Sequence, residues 1–167
     1  LYAARIAEAL AMPADFIESI RFASAMHDVG KIGIPDNILM KPGRFDAAEM
    51  EIMKNHSVIG GKILADSPHP TIQMAARIAL NHHESWDGTG YPAGLKGEEI
   101  PIEARIITIC DCYDALRSKR SYKYPLDHQT ACEIITQNLA SQFEPRVLNV
   151  FHEVAGDLAV IFSQHQN

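Results

Sequence analysis

Apolar residues recur every three or four positions along most of this chain, and histidine or aspartate interrupts the apolar face at a few of them. The recurrence is that of amphipathic helices. The interruptions are the stronger constraint. Burying even a neutral polar side chain without a partner costs on the order of 2–7 kcal/mol. A fold that hides several imidazoles and carboxylates must therefore bring them together or give each its own partner. The densest interruption is Met26-His27-Asp28-Val29-Gly30-Lys31.

Taken in order, the periodicity predicts a helix from the start to about Ala11 and a second from about Asp15 to His27, with His27 on the inner face. Gly30, Gly33 and Pro35 then force a loop. A third helix from about Asp46 to Leu64 carries the stripe Ile52, Met53, His56, Ile59, Gly60, Ile63 and Leu64, with His56 in its middle. Thr71 is a plausible N-cap for a fourth, whose stripe Ile72, Ala75, Ala76, Ala79, Leu80 runs into His82 and His83. In Glu84-Ser85-Trp86-Asp87-Gly88-Thr89-Gly90-Tyr91-Pro92, two glycines and a proline form a tight loop that displays Tyr91. A fifth helix, about Ile102 to Leu116, is strongly apolar yet contains Asp111. Helices over about Asp127–Leu139 and Pro145–Phe162 close the chain. No strand pattern or repeat is visible, so the expected fold is all-α, a bundle of about six to seven helices.

The 167 residues suit a single domain. A net charge of −6 argues against a broad DNA or RNA surface, although Arg117 to Lys123 is densely basic and can receive a small anion. No apolar run reaches the ~18 residues of a membrane span. Cys110, Cys112 and Cys132 have no pairing pattern and read as small core hydrophobes in a reducing cytoplasm, with metal ligation as the alternative. Helical periodicity starts at residue 1 without a cap, so the expectation is a piece lacking an upstream segment.

Each polar interruption has a bland explanation. His56 alone is a satisfied core histidine, and Asp111 alone pairs with Arg105 or Arg117. His82-His83 alone caps a helix C-terminus. Together His27, Asp28, His56, His82, His83 and Asp111 would need six separate accidents. Mixed imidazole and carboxylate donors suit Mn, Fe, Zn, Ni or Co rather than Ca or Mg. Six donors exceed one tetrahedral ion, so a two-metal centre is the economical reading.

His27-Asp28-Val29-Gly30-Lys31-Ile32-Gly33-Ile34-Pro35-Asp36 resembles the His-Asp signature of the HD superfamily of metal-dependent phosphohydrolases. His82-His83-Glu84 with Asp87-Gly88-Thr89-Gly90-Tyr91-Pro92 resembles the second signature of its HD-GYP branch. Asp111-Cys112-Tyr113-Asp114-Ala115-Leu116, then Arg120, Tyr122 and Lys123, resembles a third block. The resemblance covers nearly the whole chain. It implies an HD-domain helical bundle over 1–167, truncated at its N-terminus, with a sensor or receiver domain upstream in cis. It also implies a cytoplasmic bacterial cyclic di-GMP phosphodiesterase yielding pGpG and in some cases GMP. Two divalent ions, iron or manganese, are implied, with a third in some full-length members. Carried over by position, Asp28 bridges the ions and His56, His82 and His83 complete one site. His27, Asp28 and Asp111 build the other. Lys31 meets a phosphate oxygen or the nucleophile, Tyr91 packs on the nucleotide, and Arg120 and Lys123 bind phosphate and guanine edges. Glu84, Asp87, Gly88, Gly90 and Pro92 support the loop and the histidines.

Two departures stand out. The family places a further histidine upstream of the His-Asp pair, and nothing from Leu1 to Arg21 replaces it, which leaves the second site one ligand short. Ala140 and Glu144 stand where glycine and aspartate are usual, with only a packing consequence expected. Other readings are an HD-type hydrolase of another nucleotide or cyclic dinucleotide, or a non-enzymatic module binding a nucleotide or a partner. The solvated-turn reading of Arg120 and Lys123 stays open, as does homodimer formation.

Overall fold

The helix-forming segments pack through small residues as much as through large ones. A computed structural model of the chain describes residues 1–119 and 124–165. Among these are nine α-helices and no strand. They are α1 (Tyr2–Ala9), α2 (Ala14–Ala23), α3 (Asp36–Leu39), α4 (Ala47–Leu64), α5 (Pro70–Asn81), α6 (Ile102–Arg117), α7 (His128–Glu133), α8 (Pro145–Glu153) and α9 (Ala155–Gln164). No helix among the described residues is long and apolar enough to cross a membrane.

The central element is α6. Its Ile106, Ile109 and Tyr113 are fully buried, with α1, α5, α7 and α8 around it. Ile6 of α1, Ile78 of α5, Ile135, Phe151 of α8 and Leu158 of α9 complete the core. Cys110 and Cys132 lie in that core, and no disulfide joins the three cysteines. The small-hydrophobe reading thus fits two of the thiols.

α4 is the helix that positions the site. A reciprocal cap starts it: Glu49 N–H donates to Asp46 Oδ1 at 2.9 Å, and Asp46 N–H donates to Glu49 Oε2 at 2.8 Å. Its buried residues are His56, Ser57, Gly60 and Gly61. Ile52 and Ile63, expected in the inner stripe, are 38% and 52% exposed instead. The reason is the glycine pair. It lets α5 approach so closely that a Cβ on Gly60 or Gly61 would lie 3.1 Å from the Cβ of Ala79 or Leu80. The contact face is therefore rotated toward the glycines. On the same surface the five-residue 3₁₀ turn Val29–Gly33 lies against α4. A Cβ at Gly30 would fall 1.9 Å from His56 O and 2.4 Å from Gly60 N, so backbone meets backbone there.

Several boundaries differ from the periodicity. α2 ends at Ala23 and tightens into a 3₁₀ turn, Ser24–Met26, so His27 follows a turn rather than ending an α-helix. Ser24 Oγ donates to Arg21 O at 3.2 Å, the local bonding by which serine competes with helical backbone. α5 begins at Pro70 with His69 at the cap position, so the helix starts ahead of the expected Thr71 cap. Proline fits a first helical position, where no N–H is needed. The final helix is two helices, α8 and α9, broken at buried Val154. α7 opens into a π turn, Ile134–Asn138, and then a 3₁₀ turn, Ala140–Gln142.

Gly30→Ala should lower stability by about 2 kcal/mol or more, because the added methyl has only backbone to displace. Thermal denaturation of the variant is the check. Wild-type stability would show that the turn can lift off α4 cheaply.

Candidate metal centre

Two helix interiors, one helix end and one turn deliver the site. His56 projects from α4 one turn before Gly60, and His82 follows α5 one turn after Ala79. The glycine-mediated packing of α4 on α5 therefore sets the two rings side by side. His56 Nε2 lies 3.5 Å from His82 Nε2 and 3.1 Å from His83 Nε2. Asp28 Oδ1 lies 3.4 Å from His56 Nε2 and 3.8 Å from His82 Nε2. One ligand atom from each of Asp28, His56, His82 and His83 falls within 4.8 Å of the others.

The opposite ring nitrogens decide what this cluster is. His56 Nδ1 lies 2.7 Å from Met53 O, and His82 Nδ1 lies 3.0 Å from Ala79 O. His27 Nδ1 lies 2.8 Å from Ser24 O. A carbonyl only accepts, so Nδ1 carries the proton in each ring. Nε2 of His56 and His82 is therefore the ring nitrogen turned to the centre, where the two lie face to face. Burial, aided by the neighbouring imidazoles, pushes His82 down to about 4 and His83 down to about 3. Converging lone pairs beside a carboxylate need a shared cation. An ion 2.0–2.1 Å from each donor puts donors about 3.0–3.4 Å apart, close to the spacings found. The donor set fits a divalent metal, and backbone carbonyls orient its rings.

Asp28 faces two ways. Oδ1 points to His56 and His82, whereas Oδ2 lies 3.5 Å from His27 Nε2 and pairs with the Lys31 ammonium. His27 Nε2 is 3.7 Å from Asp111 Oδ1, so His27, Asp28 and Asp111 form a second, smaller group. Burial opposes charge on Asp28, but Lys31 and His27 hold its carboxyl below the usual range. Burial likewise opposes charge on Asp111, and His27 outweighs it, bringing Asp111 to about 2. Burial acts to lower His27, while Asp111 and Asp28 raise it on balance. The carboxylate of Asp111 does not pair with Arg105, which bonds Glu144 at 3.0 Å. Arg117 instead lies over Phe162, 4.3 Å from its ring centre. Asp28 and Asp111 are 33% and 34% exposed, so the centre opens to solvent.

The glycine loop walls one side. Gly90 sits where a Cβ would lie 2.3–2.5 Å from Ser85 N, Glu84 Cα and His83 O, so only glycine fits. Gly88 adopts φ +85°, the left-handed region. Buried Glu84 accepts from Ala93 N at 2.8 Å and Leu95 N at 3.0 Å. Asp87 accepts from Thr89 N, Thr89 Oγ1 and Ser141 Oγ. The Tyr91 ring, followed by cis-linked Pro92, stacks on His83 with centres 4.7 Å apart. Arg120 and Lys123 lie outside the described residues.

Sequence reasoning missed three neighbours. Thr108 Oγ1 lies 2.9 Å from His82 O and from Ala104 O. Its spacing of three from Asp111 on one helix could have flagged it. Lys54, two residues before His56, places its ammonium 5.5 Å from the Tyr91 ring centre. Gln142 lines a cavity beside Tyr91 and Asp111. Nothing local in the sequence marks Lys54, whereas Gln142 falls in the turn where Ala140 and Glu144 depart from the family pattern.

The chain belongs to the HD domain family, whose model matches residues 1–147. Its His82-His83-Glu84 and Gly90-Tyr91-Pro92 segments put it in the HD-GYP branch. It is 43% identical over 163 residues to a cyclic di-GMP phosphodiesterase of Thermotoga maritima, covering 98% of this chain and 44% of that protein. It is 45% identical over 154 residues to 3'3'-cGAMP-specific phosphodiesterase 2 of Vibrio cholerae, covering 92% of this chain and 29% of that one. Its fold resembles that of Bd1817, an HDG"Y"P protein from Bdellovibrio bacteriovorus, with TM-score 0.71 at 16% identity, covering 92% of this chain and 50% of that one. The chain thus spans less than half the length of the curated relatives it matches. HD membership implies divalent metal binding, and the cluster at Asp28 is the place in this chain that suits it.

Acid should destabilise the metal-free domain. His82 and His83 titrate below the ~6.5 of an unfolded histidine, so their contribution is present above pH ~6.5 and is lost as pH falls toward 4 and 3. His27, raised in the fold, has its full contribution already at pH ~6.5 and loses it only as pH rises above that, so it does not offset the loss below. Thermal midpoints of metal-free protein should fall from about pH 6.5 to about pH 4, and His83→Gln should flatten the profile. A flat wild-type profile would contradict the buried neutral rings.

Proposed function

We propose that the domain is a metal-dependent phosphodiesterase that opens the ring of cyclic di-GMP to linear pGpG, with GMP as the product of a second cut. One observation carries the reading: three imidazole Nε2 atoms and one carboxylate oxygen converge beside a solvent-open carboxylate pair. Iron or manganese suits this donor set. Such ions, when bound, polarise a phosphoryl oxygen and lower the pKa of water enough to provide the attacking nucleophile.

The chain's own residues divide the remaining work. Asp28, with its two oxygens turned to different partners, suits a bridge between a position held by His56, His82 and His83 and one held by His27 and Asp111. Lys31, already on Asp28, brings a positive charge to a phosphate oxygen entering there. Tyr91 packs the nucleotide with the ring area that His83 leaves free. Arg120 and Lys123 remain proposed phosphate and guanine contacts on their sequence position alone. A related reading, another cyclic dinucleotide as substrate, draws on the 45% identity to a 3'3'-cGAMP-specific enzyme.

Asp28→Ala should remove both ions' shared ligand. Bound Mn²⁺ by elemental analysis should fall well below wild type, and cyclic di-GMP turnover should drop at least about 100-fold, since even outer-shell losses cost 10–100-fold. Wild-type metal content and rate would refute the assignment. Calorimetric titration with Mn²⁺ should show two unequal steps, because one position has four protein donors and the other three. Two equally tight ions would refute the asymmetry.

A further inference from the structure

Beside the metal centre lies an open cavity of about 310 Å³ that the reading above does not use. Its lining includes His83, Tyr91 and Asp111 from the centre, and Ser85, Gln142 and Phe143 from beyond it. The volume is at the small end of the range for small-molecule sites, roughly 300–1,000 Å³. It shares His82, His83 and Asp111 with the proposed metal centre, so a group attached to a phosphate held there has a path into it.

The far wall is built by irregular backbone. α7 gives way to the π turn Ile134–Asn138 and then to the 3₁₀ turn Ala140–Gln142, and π turns are concentrated at functional positions. This detour carries Gln142 and Phe143 to the cavity. Trp86 N–H donates to Gln142 O at 2.9 Å, and Ser141 Oγ donates to Asp87 at 3.0 Å, so the turn is fastened to the glycine loop. Arg105 fastens it again. Its guanidinium bonds Glu144 at 3.0 Å and Glu98 O at 3.2 Å and lies 5.5 Å from the Trp86 ring centre. The backbone of Gln142 is thus held rigidly, whereas its carboxamide has no hydrogen-bond partner among the described residues. Phe143, 2% exposed, supplies an apolar wall next to it.

We propose that this cavity is the nucleobase subsite of the phosphodiesterase and that Gln142 is its specificity-determining residue; the inference rests on the function proposed above. A carboxamide presents an acceptor and a donor side by side. Guanine offers O6 beside N1–H, and adenine offers N1 beside the N6 amino group. Either edge can take both amide bonds once the amide is flipped. Glutamate at this position has acceptors only. It can take N1–H and the N2 amino group of guanine together, but only the amino group of adenine.

The experiment compares cyclic di-GMP and 3'3'-cGAMP with the Mn²⁺-loaded 167-residue chain. Gln142→Ala should raise KM about 5- to 150-fold for both, the range of a lost bidentate base contact, with kcat within about twofold and metal content unchanged. Gln142→Glu, nearly isosteric, should shift the ratio of affinities toward GMP over AMP in calorimetric titration, each mononucleotide offering the subsite a single base. Unchanged KM in Gln142→Ala, or an unchanged GMP-to-AMP ratio in Gln142→Glu, would overturn the subsite. If wild type cleaves neither dinucleotide, the phosphodiesterase reading fails by itself. Calorimetric titration with GMP and AMP then tests the cavity: weaker GMP binding by Gln142→Ala supports it, and equal binding overturns it.

Discussion

Everything at the centre depends on one backbone contact, Gly30 against the carbonyl of His56 and the amide of Gly60. Side chains cannot mediate it, because there is no room for a single methyl. It sets the depth at which the His27-Asp28 turn lies on α4. The neighbouring glycine contact, Gly60 and Gly61 on Ala79 and Leu80, sets the depth of α5. His56, His82 and Asp28 therefore meet at 3.4–3.8 Å as a consequence of close helix packing, with no search by flexible side chains.

That rigidity maintains an arrangement that is unfavourable without a cation. Nδ1 of His27, His56 and His82 is committed to backbone carbonyls, so the rings cannot turn their protons toward one another. Burial keeps His82 and His83 neutral. The fold thus stores a metal-shaped electrostatic demand, and the carboxylates of Asp28 and Asp111, held ionised by His27 and Lys31, supply the negative charge that completes it. The glycine loop and the Ala140–Gln142 turn are built more loosely from hydrogen bonds, yet Glu84, Asp87 and Arg105 lock each to its neighbour.

The polar interruptions of apolar stripes are legible in the amino-acid order itself, because misplaced imidazoles are costly and helical spacing is regular. That is why His56, His82 and Asp111 stand out and why six such residues can be expected in one place. The packing beneath them is not legible in the same way. The α4 stripe suggests that Ile52 and Ile63 face inward, whereas the glycines win because they permit closer approach than any isoleucine. Arg105 lies on the same helix as Asp111, six residues before it, yet its bond goes to Glu144, on a segment 39 residues away. The break at Val154 and the π turn after Glu133 likewise interrupt segments whose periodicity reads as continuous helix.

The central claim is that the three Nε2 atoms and Asp28 Oδ1 share an ion. Anomalous diffraction from crystals of the Mn²⁺-loaded protein tests it most directly. The expected result is a strong peak roughly 2 Å from Nε2 of His56, His82 and His83 and from Asp28 Oδ1. No peak there, or a peak coordinated through Nδ1 after the rings have turned from their carbonyls, would contradict it.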